Sequence, residues 1–113
     1  MDKDINKIKT VKREYLEAAN AFSKAFLELG LPLDQLILFG SRIKGSETKY
    51  SDLDLCVVSP VFGTNRQAER VLLMRLKKGV SDLIEPHPYS PKDLGNKYDP
   101  LASQILKTGI RVY

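Results

Sequence analysis

Two short runs in this sequence carry residue types suited to phosphate chemistry. The first is Gly40-Ser41, which directly follows the apolar run Leu36 to Phe39. Glycine has no Cβ, so a phosphate can approach its backbone closely. Amide N–H groups at the start of the next turn or helix suit an anion. The Ser41 hydroxyl adds a donor, and Arg42 and Lys44 bring positive charge nearby. The second run is Asp52-Leu53-Asp54. Side chains alternate along a strand, so the two aspartates share a face with backbone positions about 7 Å apart. Leu53 and Leu55 then point the other way, into the core. Like charges at that separation repel by roughly 2 kcal/mol at an effective dielectric near 20. A divalent cation offsets the repulsion, and magnesium favours carboxylate oxygens while sharing its shell with substrate phosphates.

Taken singly, each run has a plainer account: an ordinary turn after a strand, and a solvated strand face with two acids. Taken together they say more. Ten residues separate Ser41 from Asp52, enough for the chain to return as a neighbouring strand. Phosphate donors and metal ligands then converge at one end of a sheet, as metal-assisted phosphoryl or nucleotidyl transfer requires.

The elements that must position these residues follow from periodicity. Residues 4 to 29 read as one long amphipathic helix, with Ile5, Ile8, Val11, Tyr15, Ala18, Phe22 and Phe26 on one face. Gly30 and Pro32 end it. Leu36 to Phe39 reads as a central strand covered on both faces, Gly40 to Lys49 as a polar connector, and Leu53 to Val58 as a second strand. Thr64 and Gln67 form a candidate capping box for a helix from about Asn65 to Lys78. A third strand is expected near Leu83 to His87. Ser90-Pro91 with Asp93 opens a short helix, and Asp99-Pro100 opens another that Gly109 closes. Ile110 to Tyr113 reads as a last short strand or a tail. Interleaved strands and helices predict an α/β (α+β) fold, a small mixed β-sheet flanked by helices.

Composition narrows the classes. The chain has 113 residues, 42% of them hydrophobic, which predicts a single domain over 1–113 with a true core. No apolar run is long enough to span a bilayer and the start lacks a signal-peptide pattern. Cys56 is the only cysteine, so no internal disulfide is expected, and the chain reads as cytoplasmic. The net charge of +4 suits polyanionic ligands. Its basic residues are spread rather than blocked, which argues against a dedicated nucleic-acid arm.

The stretch from Leu38 to Val58 resembles the signature of the DNA polymerase beta-type nucleotidyltransferase superfamily: a glycine-serine pair after a strand, then two acids one residue apart. Gly40-Ser41-Arg42 with Gly45, followed by Ser51-Asp52-Leu53-Asp54-Leu55, is similar to the minimal nucleotidyltransferases. Those are short prokaryotic proteins, many encoded beside a helical HEPN-type partner as a toxin–antitoxin module. The resemblance implies the nucleotidyltransferase fold, with Asp52 and Asp54 holding one or two Mg2+ ions. It also implies contact of Gly40 and Ser41 with the triphosphate, supported by Arg42 and Lys44. The family carries a third acid on the next core strand, which joins the metal site and can assist deprotonation of the attacking hydroxyl. Glu85 and Asp82 are the candidates, and Glu85, deeper in the strand with Leu83 and His87 on its face, is preferred. It departs from the commoner aspartate by one methylene.

The implied reaction transfers a nucleoside monophosphate from an NTP, ATP foremost, to a hydroxyl acceptor on a HEPN-type partner, with pyrophosphate released. The alternative is a binding module that neutralises a partner by complex formation; either a homo- or a hetero-oligomer is compatible with both. Among the other residues, His87 could orient a substrate or accept a proton, but a histidine between two prolines reads first as a packing or turn residue. Tyr50 and Tyr89 could stack on a base, though the core boundary is their default. Cys56 reads as a small buried hydrophobe.

Overall fold

The computed structural model describes residues 5–113. The first expected helix is two. α1 spans Ile5–Ile8 and α2 spans Arg13–Glu28, while Asp4 lies outside the described residues. The break has a local cause. The Thr10 hydroxyl donates to the Lys7 carbonyl at 2.6 Å, a bond that competes with helix continuation. Lys12 is then extended, with ψ 140°. Downstream of the break the apolar stripe holds with one shift: Tyr15, Phe22 and Phe26 are buried, and Ala19 is buried in place of the expected Ala18, which is only partly buried against the same core. Burying one such phenyl ring contributes about 2 kcal/mol.

Four strands form one mixed sheet in the order β3-β2-β1-β4. β1 is Gln35–Phe39, β2 is Leu53–Val58, β3 is Ile84–Tyr89 and β4 is Ile110–Arg111. β1 pairs antiparallel with both β2 and β4, and β2 pairs parallel with β3. Between β1 and β2 lies the one-turn helix α3, Ser41–Lys44. α4, Arg66–Lys78, crosses from β2 to β3, as a parallel pair demands. α5, Pro91–Leu94, and α6, Pro100–Thr108, precede β4.

The sheet is covered on both faces, which is why Leu36 to Phe39 and Leu55 to Val58 are apolar without alternation. One face carries Leu36, Leu38, Leu53, Leu55, Val57 and Ile84 against α2 and Leu73 of α4. The other carries Ile37, Phe39, Cys56 and Val58 against Leu94 of α5 and Ala102 and Ile105 of α6. Asp54 has the parity of Cys56 and Val58, so it belongs to the second face at the point where α5 and α6 no longer cover it.

β3 runs two residues further than its expected end, through Pro86 and Pro88 to Tyr89. Proline cannot donate to a ladder and is confined to edges. β3 is an edge strand, and prolines two apart place both missing donors on the same side. Leu83 precedes β3 and packs on the α2–α4 core, not on the face of Glu85 and His87. The caps at Ser90 and Asp99 form as the sequence predicts, accepting from Asp93 N and from Leu101 N and Ala102 N. At α4 the cap is Asn65, accepting from Ala68 N at 3.1 Å, in place of the Thr64–Gln67 box. Glu69 takes over the reach-back, for its carboxylate accepts from the amides of Gly63, Thr64 and Asn65 at 2.9 to 3.2 Å.

Candidate active site

Strand register builds the site as a row across the sheet. Phe39 is opposite Asp54, and Asp54 is opposite Glu85. Gly40 follows Phe39, so the turn into α3 begins beside the Asp54 side chain. The contact is close enough to dictate the residue at position 40. Gly40 has φ +87°, a region costly for residues with a Cβ. A Cβ added there would run into the Asp54 carboxylate, with Oδ2 the nearest atom. Glycine at this position therefore serves both the backbone and the approach of the acid.

Asp54 divides its two oxygens. Oδ2 lies against Gly40, while Oδ1 is 3.1 Å from His87 Nε2. The imidazole is tilted against the Phe39 ring with centroids 5.2 Å apart. Glu85 and His87 occupy alternate positions of β3 and so share a face. One ligand atom from each of Asp54, Glu85 and His87 lies within 4.8 Å of the others. That is near the roughly 4 Å span across a magnesium shell. Two carboxylates in this geometry are a hard-oxygen donor set that fits a divalent cation.

Asp52 stands one residue before β2 and is exposed. It lines a cleft of about 280 Å³ with Glu85 and His87, walled by Arg70 and Lys77 of α4. The crowding of acids registers on Glu85. Burial raises its pKa above the ordinary carboxylate value, Asp54 and Asp52 push the same way, and His87 opposes them. Asp82, the other candidate for a third acid, is exposed and outside this cluster; its carbonyl accepts from Lys77 Nζ at 3.4 Å.

The remaining sequence candidates fall in different places. Ser41 opens α3, and its hydroxyl has no partner among the described residues. Arg42 turns away from the acids: its Nε donates to the Ser51 carbonyl at 2.6 Å and Nη1 to the Tyr15 hydroxyl at 3.0 Å. It ties the segment before Asp52 to α2. Lys44 is exposed and borders a groove against Lys12 and Glu47, away from the carboxylates. Tyr50 is 82% exposed. Tyr89 is buried, donates to Asp99 at 3.0 Å and has its pKa raised to about 12, by burial first and then by Asp99. Cys56 is fully buried, and burial pushes its thiol up to about 12, the state of an inert core residue. His87 is the residue that sequence reasoning undervalued. Its signal was parity, since it lies two residues after Glu85 on the same strand.

Known proteins bear on this arrangement in two ways. The family model of the nucleotidyltransferase domain matches residues 19–106. A solved structure from Sulfolobus solfataricus, provisionally assigned as a nucleotidyltransferase, has a TM-score of 0.63 at 16% identity, covering 98% of this chain and 89% of that one. At that identity the likeness speaks for the fold. No curated protein matches the sequence. The glycine turn, the row of acids and the match over most of the chain agree: this chain belongs to the nucleotidyltransferase domain family.

Proposed function

We propose that the domain transfers a nucleoside monophosphate from ATP to a hydroxyl acceptor on a helical HEPN-type partner, releasing pyrophosphate. The observation that carries this reading is the packing of the Asp54 carboxylate against Gly40, with Glu85 in register beside it. It sets a carboxylate cluster directly against a turn whose serine hydroxyl has no partner among the described residues.

In this reading Asp52, Asp54 and Glu85 hold the divalent metal, Mg2+. When bound, it neutralises triphosphate charge and lowers the pKa of the acceptor hydroxyl. Gly40 lets a phosphate oxygen approach the chain, and Ser41 donates to it. Arg42 contributes through the Ser51 carbonyl, holding the approach to Asp52. Lys44 adds positive potential at long range. Glu85, with its raised pKa, accepts the proton of the attacking hydroxyl. The acceptor oxygen bonds to the α-phosphorus as the bond to pyrophosphate breaks. Residues 1–113 act as one domain in the cytoplasm, with the partner supplying the acceptor surface. No helix among the described residues is long and apolar enough to cross a membrane.

The test is incubation with magnesium, the candidate partner and ATP labelled on either the α- or the γ-phosphate. The reading expects α-label on the partner, no γ-label, and loss of transfer in the Asp52→Ala/Asp54→Ala double variant. Neutralisation of the partner that survives the double substitution, without label transfer, favours a binding module instead.

A further inference from the structure

We propose that His87 is a positioning residue: it fixes the Asp54 carboxylate so that one oxygen is reserved for the metal and the glycine turn. The inference rests on the metal-site reading above and goes beyond it by assigning the histidine a role that is neither packing nor metal ligation.

Three observations converge. First, the contact is specific by atom. His87 Nε2 is 3.1 Å from Asp54 Oδ1, whereas Oδ2 is the oxygen that lies against Gly40. A carboxylate only accepts hydrogen bonds, so Nε2 carries the proton and donates. A nitrogen that donates a proton has no lone pair to offer a cation, so this atom is not a ligand while the bond stands. Second, the ring is held from behind. Phe39 lies 5.2 Å away, centroid to centroid, and Pro86 and Pro88 on either side are buried. Proline fixes φ, so the backbone that carries the imidazole has little freedom. Third, besides His87 the Asp54 carboxylate has one other polar side-chain partner, Glu85, which hydrogen-bonds to it and shares its acidity. Among the described residues no salt bridge other than the one with His87 reaches it, and Glu85 beside it is an acid. Without the imidazole, Asp54 loses its one nitrogen partner and keeps only the acid Glu85, so its carboxylate can swing away from Gly40. Outer partners that hold a ligating carboxylate typically change metal affinity by about 10- to 100-fold.

The experiment uses the full chain and Mn2+ as probe, with free Mn2+ followed by electron paramagnetic resonance. His87→Ala should weaken Mn2+ binding by about tenfold. His87→Gln keeps an N–H donor on a side chain of similar reach, and it should recover most of that loss. The thermal midpoints of both variants should stay close to wild type, which separates positioning from a packing role. In wild type, pulsed spectra of bound Mn2+ should show no directly coordinated nitrogen. Wild-type affinity in His87→Ala, equal losses in both variants, or a coordinated nitrogen would each overturn the inference while leaving the metal site standing. A wild-type chain that binds no Mn2+ would instead overturn the metal-site reading, and this inference with it.

Discussion

Two glycine turns in this molecule have the same construction and opposite fates. Each follows a strand or its exit, each contains a glycine at positive φ, 87° at Gly40 and 102° at Gly63, and each leads into a helix. At Gly63 the chain supplies its own anion. The Glu69 carboxylate accepts from the amides of Gly63, Thr64 and Asn65 and is 9% exposed. Burial alone would raise its pKa; the three backbone donors outweigh burial and hold it below the ordinary value. At Gly40 no side chain of the described residues accepts from the turn. The acids there, Asp54 and Glu85, face one another, and the pKa of Glu85 is raised. The first turn is closed by an internal carboxylate. The Gly40 turn has no such internal acceptor among the described residues, and in the proposed reading it takes an outside anion that the neighbouring carboxylates meet through a cation. The contrast separates an acid satisfied by backbone amides from acids that face one another, and the proposed function assigns chemistry to the latter.

Substitutions at the open turn should cost function, and those at the closed turn should cost stability. The largest expected effect is at Asp54. Asp54→Asn keeps the shape but removes the charge, and nucleotidyl transfer should fall by about a thousandfold, in line with the loss of a main electrostatic contributor, while the thermal midpoint changes little. Single-turnover label transfer checks the first and calorimetric melting the second. Next is Gly40→Ala. Positive φ alone costs of order 1 to 3 kcal/mol, and the new methyl displaces the Asp54 carboxylate. Both the denaturation midpoint and metal-dependent ATP binding should drop, the one variant in which the two effects are coupled.

Glu69→Gln should lower stability by about 2 kcal/mol, the scale of hydrogen bonds to a charged acceptor, and leave transfer unchanged. Its pH signature has a definite sign. The folded pKa of Glu69 lies below its ordinary value of 4.5, so its contribution is complete above pH 4.5 and lost as pH falls through the folded value. Wild type should therefore lose more stability on acidification below pH 4.5 than Glu69→Gln does. Asp99, lowered by its bonds to Ala102 and Leu101 amides and to Tyr89 against the raising effect of burial, adds in the same direction. The smallest effect is at Lys44, exposed and remote from the acids. Lys44→Ala should change stability by less than about 0.5 kcal/mol and ATP affinity only modestly, with a weaker dependence on salt.

Much of this was legible in the sequence, and the misses share a physical cause. β2 falls at Leu53–Val58 as its apolar run requires, and the caps at Ser90 and Asp99 follow from side chains that bond their own following amides. These are signals within a few residues. The break at Thr10 was hidden because the hydrophobic stripe continues through it; a hydroxyl bonding the Lys7 carbonyl leaves no mark on periodicity. The Thr64–Gln67 box lost to Asn65 and Glu69, both equally polar in sequence. Only the burial of Glu69 against the Gly63 turn decides between them. At the site, Asp54 beside Gly40 could be anticipated from the spacing of two strands. The partners of Arg42 and His87 could not, since Tyr15 lies 27 residues and Asp54 lies 33 residues away. Sheet register alone brings those pairs together.

The central claim is that the Gly40 turn is an anion site completed by a metal on the neighbouring carboxylates. Calorimetry with a non-hydrolysable ATP analogue tests it most directly, on wild type and Asp54→Asn, each with magnesium and with chelator. The account predicts saturable binding only for wild type with magnesium. Equal heats in all four titrations, or none at millimolar analogue, would contradict it.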